Sequence, residues 1–126
     1  MEDLELTWRT FEFHIASSMN LELSLNKYST LYVKKKKEGV MEHWNRKRLN
    51  NLLDSIILNC NLLINDYRKQ NKCLDELIGI YKYYSLHGVA IPVEREVSVK
   101  YLHELKNTNA TLIEQLERKK RTFKLL

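Results

Sequence analysis

The chain has 126 residues with a formal charge of +5, 44% hydrophobic and 29% charged residues, three Gly, one Pro and two Cys. That length holds one domain at most, and so few turn formers disfavour a β-rich fold of many hairpins. No run approaches the ~18 apolar residues of a membrane span, and the acidic start (Glu2, Asp3, Glu5) is unlike a basic signal or transit peptide, so an intracellular, soluble chain is expected.

The periodicities predict a single elongated all-α unit: an N-terminal helix over about 3–36, a long coiled-coil helix over 40–86 and a C-terminal helix over 93–121. Residues 1–33 admit two readings. As helix, Leu4, Trp8, Phe11 and Ile15, then Leu21, Leu25, Tyr28 and Tyr32, fall at spacings of three and four. As strand, Phe11 to Ile15 and Leu21 to Leu25 alternate around a loop at Ala16 to Asn20. Helix is favoured, because Gly and Pro are absent up to Glu38 and the loop carries no Asn-Gly or Asp-Gly turn signal.

Lys34 to Gly39 reads as a break, since four consecutive lysines repel one another and Gly39 is permissive. Beyond it lies the strongest pattern in the chain: Leu49, Leu53, Ile56, Cys60, Leu63, Tyr67, Gln70, Leu74, Leu77, Tyr81 and Tyr84. Ten of these eleven positions are apolar or aromatic, at a 4-3 spacing held for five heptads. Only helices that wind around one another keep such a stripe in line. The seam therefore needs a partner. Leu52, Ile57 and Ile64 widen the stripe in its first half, which points to more than one neighbour there. Gly79 falls on the outer face, where it weakens the helix by about 1 kcal/mol relative to Ala without touching the seam.

His87-Gly88 ends the long helix, and Ile91-Pro92 forces an extended backbone. Residues 93–97 alternate Val with charge, but Pro92 also suits a first helical position, with Glu94 and Glu96 complementing the dipole. The last helix carries Leu102, Leu105, Asn109, Leu112, Leu116, Lys119 and Phe123 at 4-3 spacing. Asn109 reads either as an inward polar residue that specifies register or as an exposed one in a weak helix former, Asn107 to Asn109.

The positive charge is localised. Residues 1–33 have net charge −3, residues 34–48 net +5, residues 49–93 are balanced, and residues 94–126 have net +3. Lys34, Lys35, Lys36 and Lys37 with Arg46, Lys47 and Arg48 form one patch; Arg118 to Arg121 with Lys124 form another. Both suit a polyanionic partner, and both also read as ordinary solvated helix ends. Trp44 beside Arg46 to Arg48 is the only local hint of a base-stacking platform, and it is weak.

Catalytic and metal signatures are lacking. His14, His43, His87 and His103 stand at no metal-ligand spacing from one another or from a Cys, and there is no CxxC motif or glycine-rich phosphate loop. Ser17-Ser18 has no nucleophile motif. Cys60 and Cys73, on one helix, would be roughly 20 Å apart, beyond disulfide reach, and fit a reducing compartment. No enzyme activity, metal, cofactor or small-molecule substrate is expected.

Three stretches of the C-terminal third resemble subunit 2 of the augmin (HAUS) complex: Ile91-Pro92-Val93-Glu94, Tyr101-Leu102-His103-Glu104-Leu105 and Leu112-Ile113-Glu114-Gln115-Leu116-Glu117. Phe13 to Met19 is similar to that family's N-terminal Phe-Ile-Ala-Ser-like stretch. Together these cover about a third of the chain, in the family's order; the chain is shorter than the family, and one spacing is shifted. The resemblance implies a subunit of an eight-protein helical assembly that binds spindle microtubules and recruits the γ-tubulin ring complex for branching nucleation. It implies a place in the cytoplasm and cytoskeleton, at spindle and centrosome. No matched motif covers the basic residues.

The expectation is thus a non-catalytic coiled-coil subunit of a hetero-oligomer. Its partner-binding seams are Leu49 through Tyr84 and Leu102 through Phe123, and Lys34 to Lys37 with Arg46 to Arg48 are candidate contacts for an acidic surface. The alternative is a small basic helical nucleic-acid-binding protein. A homodimeric coiled coil or a self-contained three-helix bundle ranks third.

Overall fold

A chain this poor in Gly and Pro can run as helix for long stretches, and three helices account for most of it. The computed structural model describes residues 2–38 and 43–125, without the side chains of Glu2 and residues 43–45. Helix α1 spans Glu2–Lys37, α2 His43–His87 and α3 Val99–Leu125. At 1.5 Å per residue, the 45-residue α2 is about 68 Å long. No strand occurs among the described residues. The fold is an all-α helical bundle.

The N-terminal segment is helix throughout rather than hairpin. Its four lysines are not a break but the last turn of α1, where cations complement the helix dipole. The rest of the expected break, Gly39, lies outside the described residues, as does the expected resumption of helix at residues 40–42.

Gly88 ends α2 as its composition implies. It has a positive φ of 66°, its N–H donates to the Ser85 carbonyl, and the Val89 N–H donates to the Tyr84 carbonyl at 2.9 Å. This is the paired closure of a left-handed C-terminal cap. The last helix starts later than Pro92 predicts. Residues Val93–Arg95 make one isolated 3-10 turn, and α3 begins at Val99 behind Ser98, whose Oγ accepts the Tyr101 N–H at 3.0 Å. A serine that satisfies an orphan N–H outweighs a proline that only fixes φ.

α2 is the shared element: α1 and α3 both pack on it antiparallel, while their own backbones do not approach each other among the described residues. Two apolar cores result. The upper one joins Leu4, Trp8 and Phe11 of α1 to Leu74, Leu77 and Tyr81 of α2 and Leu102 of α3. The lower one joins Leu25 and Tyr32 to Ile56, Cys60, Leu63 and Tyr67, and to Leu116 and Phe123. Full burial of each such side chain stabilises by roughly 1.5–3 kcal/mol.

Between the cores lies a polar layer made by all three helices. Gln70 donates to the His14 carbonyl and to Ser18 Oγ, both at 3.1 Å. Asn109 donates to Gln70 Oε1 at 3.2 Å and to Asn71 Oδ1 at 3.1 Å. Asn109 is 7% exposed, so the inward reading of that residue holds.

Candidate interaction surfaces

Ile56, Cys60, Leu63, Tyr67, Leu74, Leu77, Tyr81, Tyr84, Leu102 and Leu116 are buried. Leu49, Leu53, Leu105 and Leu112 are half-buried against the same cores. What covers them is α1 and α3 of the same chain. Neighbours for the 3.5-residue period are thus supplied from within the chain at the ten buried positions, while Leu49, Leu53, Leu105 and Leu112 keep part of their surface toward solvent.

Polar chemistry at the layer has a definite geometry. Ser17 Oγ donates to one oxygen of the buried Asp66 at 2.7 Å, and His14 Nδ1 stands 3.6 Å from the other. The carboxylate thus sits between hydroxyl and imidazole, whereas activation of a serine places the imidazole between the other two. Burial pushes the Cys60 and Cys73 thiols up from their ordinary value, which keeps them protonated. Burial also raises the Tyr67 phenol, helped by Glu22, whose carboxylate accepts its hydrogen bond. Among the described residues no group of three or more His, Cys, Asp and Glu could hold a metal, and no helix is long and apolar enough to cross a membrane.

A second polar cluster closes the upper core. Trp8 Nε1 donates to the Tyr81 hydroxyl at 2.9 Å, and that hydroxyl donates to the Arg95 carbonyl. The Arg95 guanidinium lies 5.3 Å from the centre of the Trp8 ring, forks onto both Glu5 oxygens at 2.8 and 3.1 Å, and reaches Glu12 at 2.7 Å. The hydrogen bond from Arg95 is the largest cause holding the Glu5 carboxyl below its usual value. Arg95 thereby straps the 93–95 turn to α1. In sequence it sits unremarked between Glu94 and Glu96, ninety residues from Glu5.

In an antiparallel bundle the end of α1, the start of α2 and the end of α3 share one pole. The basic runs 34–37, 46–48 and 118–124, separate in sequence, are therefore gathered at one end of the molecule. Twelve Lys and Arg stand in these runs, and ion pairs with Glu38, Glu114 and Glu117 engage Lys35, Arg118 and Lys120. Lys34 to Lys37, Arg46 to Arg48, Arg118, Arg121 and Lys124 are exposed. An aromatic pair joins the α1 and α3 contributions. Tyr32 and Phe123 meet edge to face at 5.6 Å, Lys36 lies 5.8 Å from the Tyr32 ring centre and Lys119 lies 6.0 Å from that of Phe123. Tyr32 was legible as an apolar position of α1; its meeting with Phe123, which unites the two patches, was not.

A second surface also escaped the sequence reading. Leu6, Phe13, Met19 and Leu23 of α1 are each more than half exposed, on the side away from the buried stripe. The stripe through Leu4 and Trp8 hides them, since a single hydrophobic face suffices to explain an amphipathic helix. Compared with protein-family profiles, curated proteins and solved structures, the chain matches none.

Proposed function

We propose that the protein is a non-catalytic, intracellular helical subunit of a hetero-oligomeric assembly that engages an acidic polymer through its basic pole. The observation that carries this reading is the convergence of three basic runs at one end of the bundle. Concentrated like charge raises the local density of a polyanionic partner and speeds its capture. The resemblance of residues 13–19, 91–94, 101–105 and 112–117 to augmin subunit 2 names the polymer: the acidic surface of a spindle microtubule, within the assembly that recruits the γ-tubulin ring complex.

The test is microtubule co-pelleting of the assembled complex. Reversing the charges of Lys34 to Lys37 and Arg46 to Arg48 is expected to weaken it. Reversal of Arg118, Arg121 and Lys124 alone is expected to do the same, since these residues belong to the same pole. Unchanged pelleting in both variants removes the proposal.

The same pole supports a second reading, binding to nucleic acid. Duplex DNA would then be bound with an affinity that falls steeply with salt, as phosphate neutralisation releases counterions. Competition between duplex DNA and microtubules for the complex, at matched ionic strength, separates the two.

A further inference from the structure

The pole opposite the basic one carries a groove between α1 and α2 of about 600 Å³, whose walls include Asp3, Leu6, Glu76, Gly79, Ile80 and Tyr83. We propose that this groove receives a basic amphipathic helix from another subunit, a proposal that rests on the reading of the chain as part of a hetero-oligomer.

Three features of the groove argue for it. Its apolar walls are open: Leu6 is 66% and Tyr83 57% exposed, far from the burial of the seam residues beside them. Its floor carries a glycine that the fold does not need. A Cβ added at Gly79 would meet nothing within 4 Å, although glycine in a helix interior is weaker than alanine. A missing side chain at that point lets a second helix backbone come close. Its rim is acidic, and neither Asp3 nor Glu76 has a salt-bridge partner among the described residues, whereas the neighbouring Glu5, Glu12 and Asp75 are paired. An apolar trough with unpaired carboxylates at its edges fits a helix with apolar residues at i, i+3, i+4 and i+7 and lysine or arginine on both flanks. An acidic helix of the same pattern would be repelled.

The probe is a fluorescent synthetic helix with leucines at those four spacings and lysines on both flanks, titrated with the intact chain. Its control carries glutamates in place of the lysines. The lysine helix is expected to bind and the glutamate helix not to. Gly79→Leu should weaken binding on the order of tenfold, about one step on the affinity scale. Gly79→Ala should raise the melting temperature while also weakening binding, which a purely structural glycine would not do. Asp3→Asn with Glu76→Gln should weaken binding at low salt and less so at high salt.

Equal binding of the two helices, or full binding to Gly79→Leu, overturns the proposal. So does a dimer in sedimentation that Gly79→Leu abolishes, because the occupant is then a second copy. Gly79→Leu leaves the basic pole intact and is expected to pellet with microtubules as the unaltered complex does. Failure here and failure of the functional reading are therefore read in different assays.

Discussion

Gln70 is the one polar position of the α2 seam and Asn109 one of two, with Lys119, in the α3 seam, and Gln70 and Asn109 meet each other in the interior. Removing one partner strands the other's buried polar atom, at a cost of about 1–3 kcal/mol. Asn109→Leu is therefore expected to destabilise the chain in urea by that amount, through the lost partner of Gln70 Oε1. Adding Gln70→Leu should recover part of the loss, and the two substitutions should couple by roughly 0.5–3 kcal/mol in a double-mutant cycle. Strict additivity would mean that the hydrogen bond between them carries no weight. The existence of polar interruptions was legible in the sequence, residue by residue. Their pairing was not, because 39 positions separate the two and only the α2–α3 register brings them together. The Arg95 strap was hidden for the same reason: an arginine between two glutamates looks locally neutralised, yet its partners are on α1.

Among the elements, the periodicity of α2 was fully legible, since five regular heptads leave no other secondary structure available. α1 required the hairpin to be weighed and rejected, and its lack of Gly and Pro decided correctly for helix. The start of α3 went astray at Pro92 because two boundary signals compete within seven residues. Pro92 fixes a φ that a helix can use, while Ser98 satisfies a backbone donor that a helix otherwise leaves open. Ser98→Ala is expected to destabilise the protein by about 1 kcal/mol in thermal or chemical melts. Loss of Ser98 without effect would place the first turn of α3 under the control of packing by Leu102 instead.

At the scale of the whole molecule, the winding of helices along the stripe was legible, and the source of the neighbours within the chain was not. A 3.5-residue period says that helices wind together; it does not say whether they belong to one chain. Here α1 and α3 supply the neighbours, so Leu63 and Leu77, each no more than 1% exposed, are structural. Either one replaced by Glu should unfold the isolated chain, because a charge would be buried without a partner. Circular dichroism of the unaltered chain should show a cooperative melt. A variant that keeps its helicity and melt would place the seam elsewhere. Fold class was thus open to inspection in the sequence, and the gathering of charge at one pole was not, because it follows from topology alone.

That polar arrangement has a mechanical consequence. α2 runs unbroken from the cationic end, at Arg46 to Arg48, to the wall of the groove at Gly79 and Tyr83. Between Arg48 and Tyr83 a straight helix covers about 50 Å at 1.5 Å per residue. One continuous helix thus links the cationic end to the groove as a strut would. Under the proposed engagement of an acidic polymer at that end, a helix docked in the distal groove would stand off from it by a length that one continuous helix sets, and a change in the number of turns in α2 would reset that distance and rotate the groove about the axis.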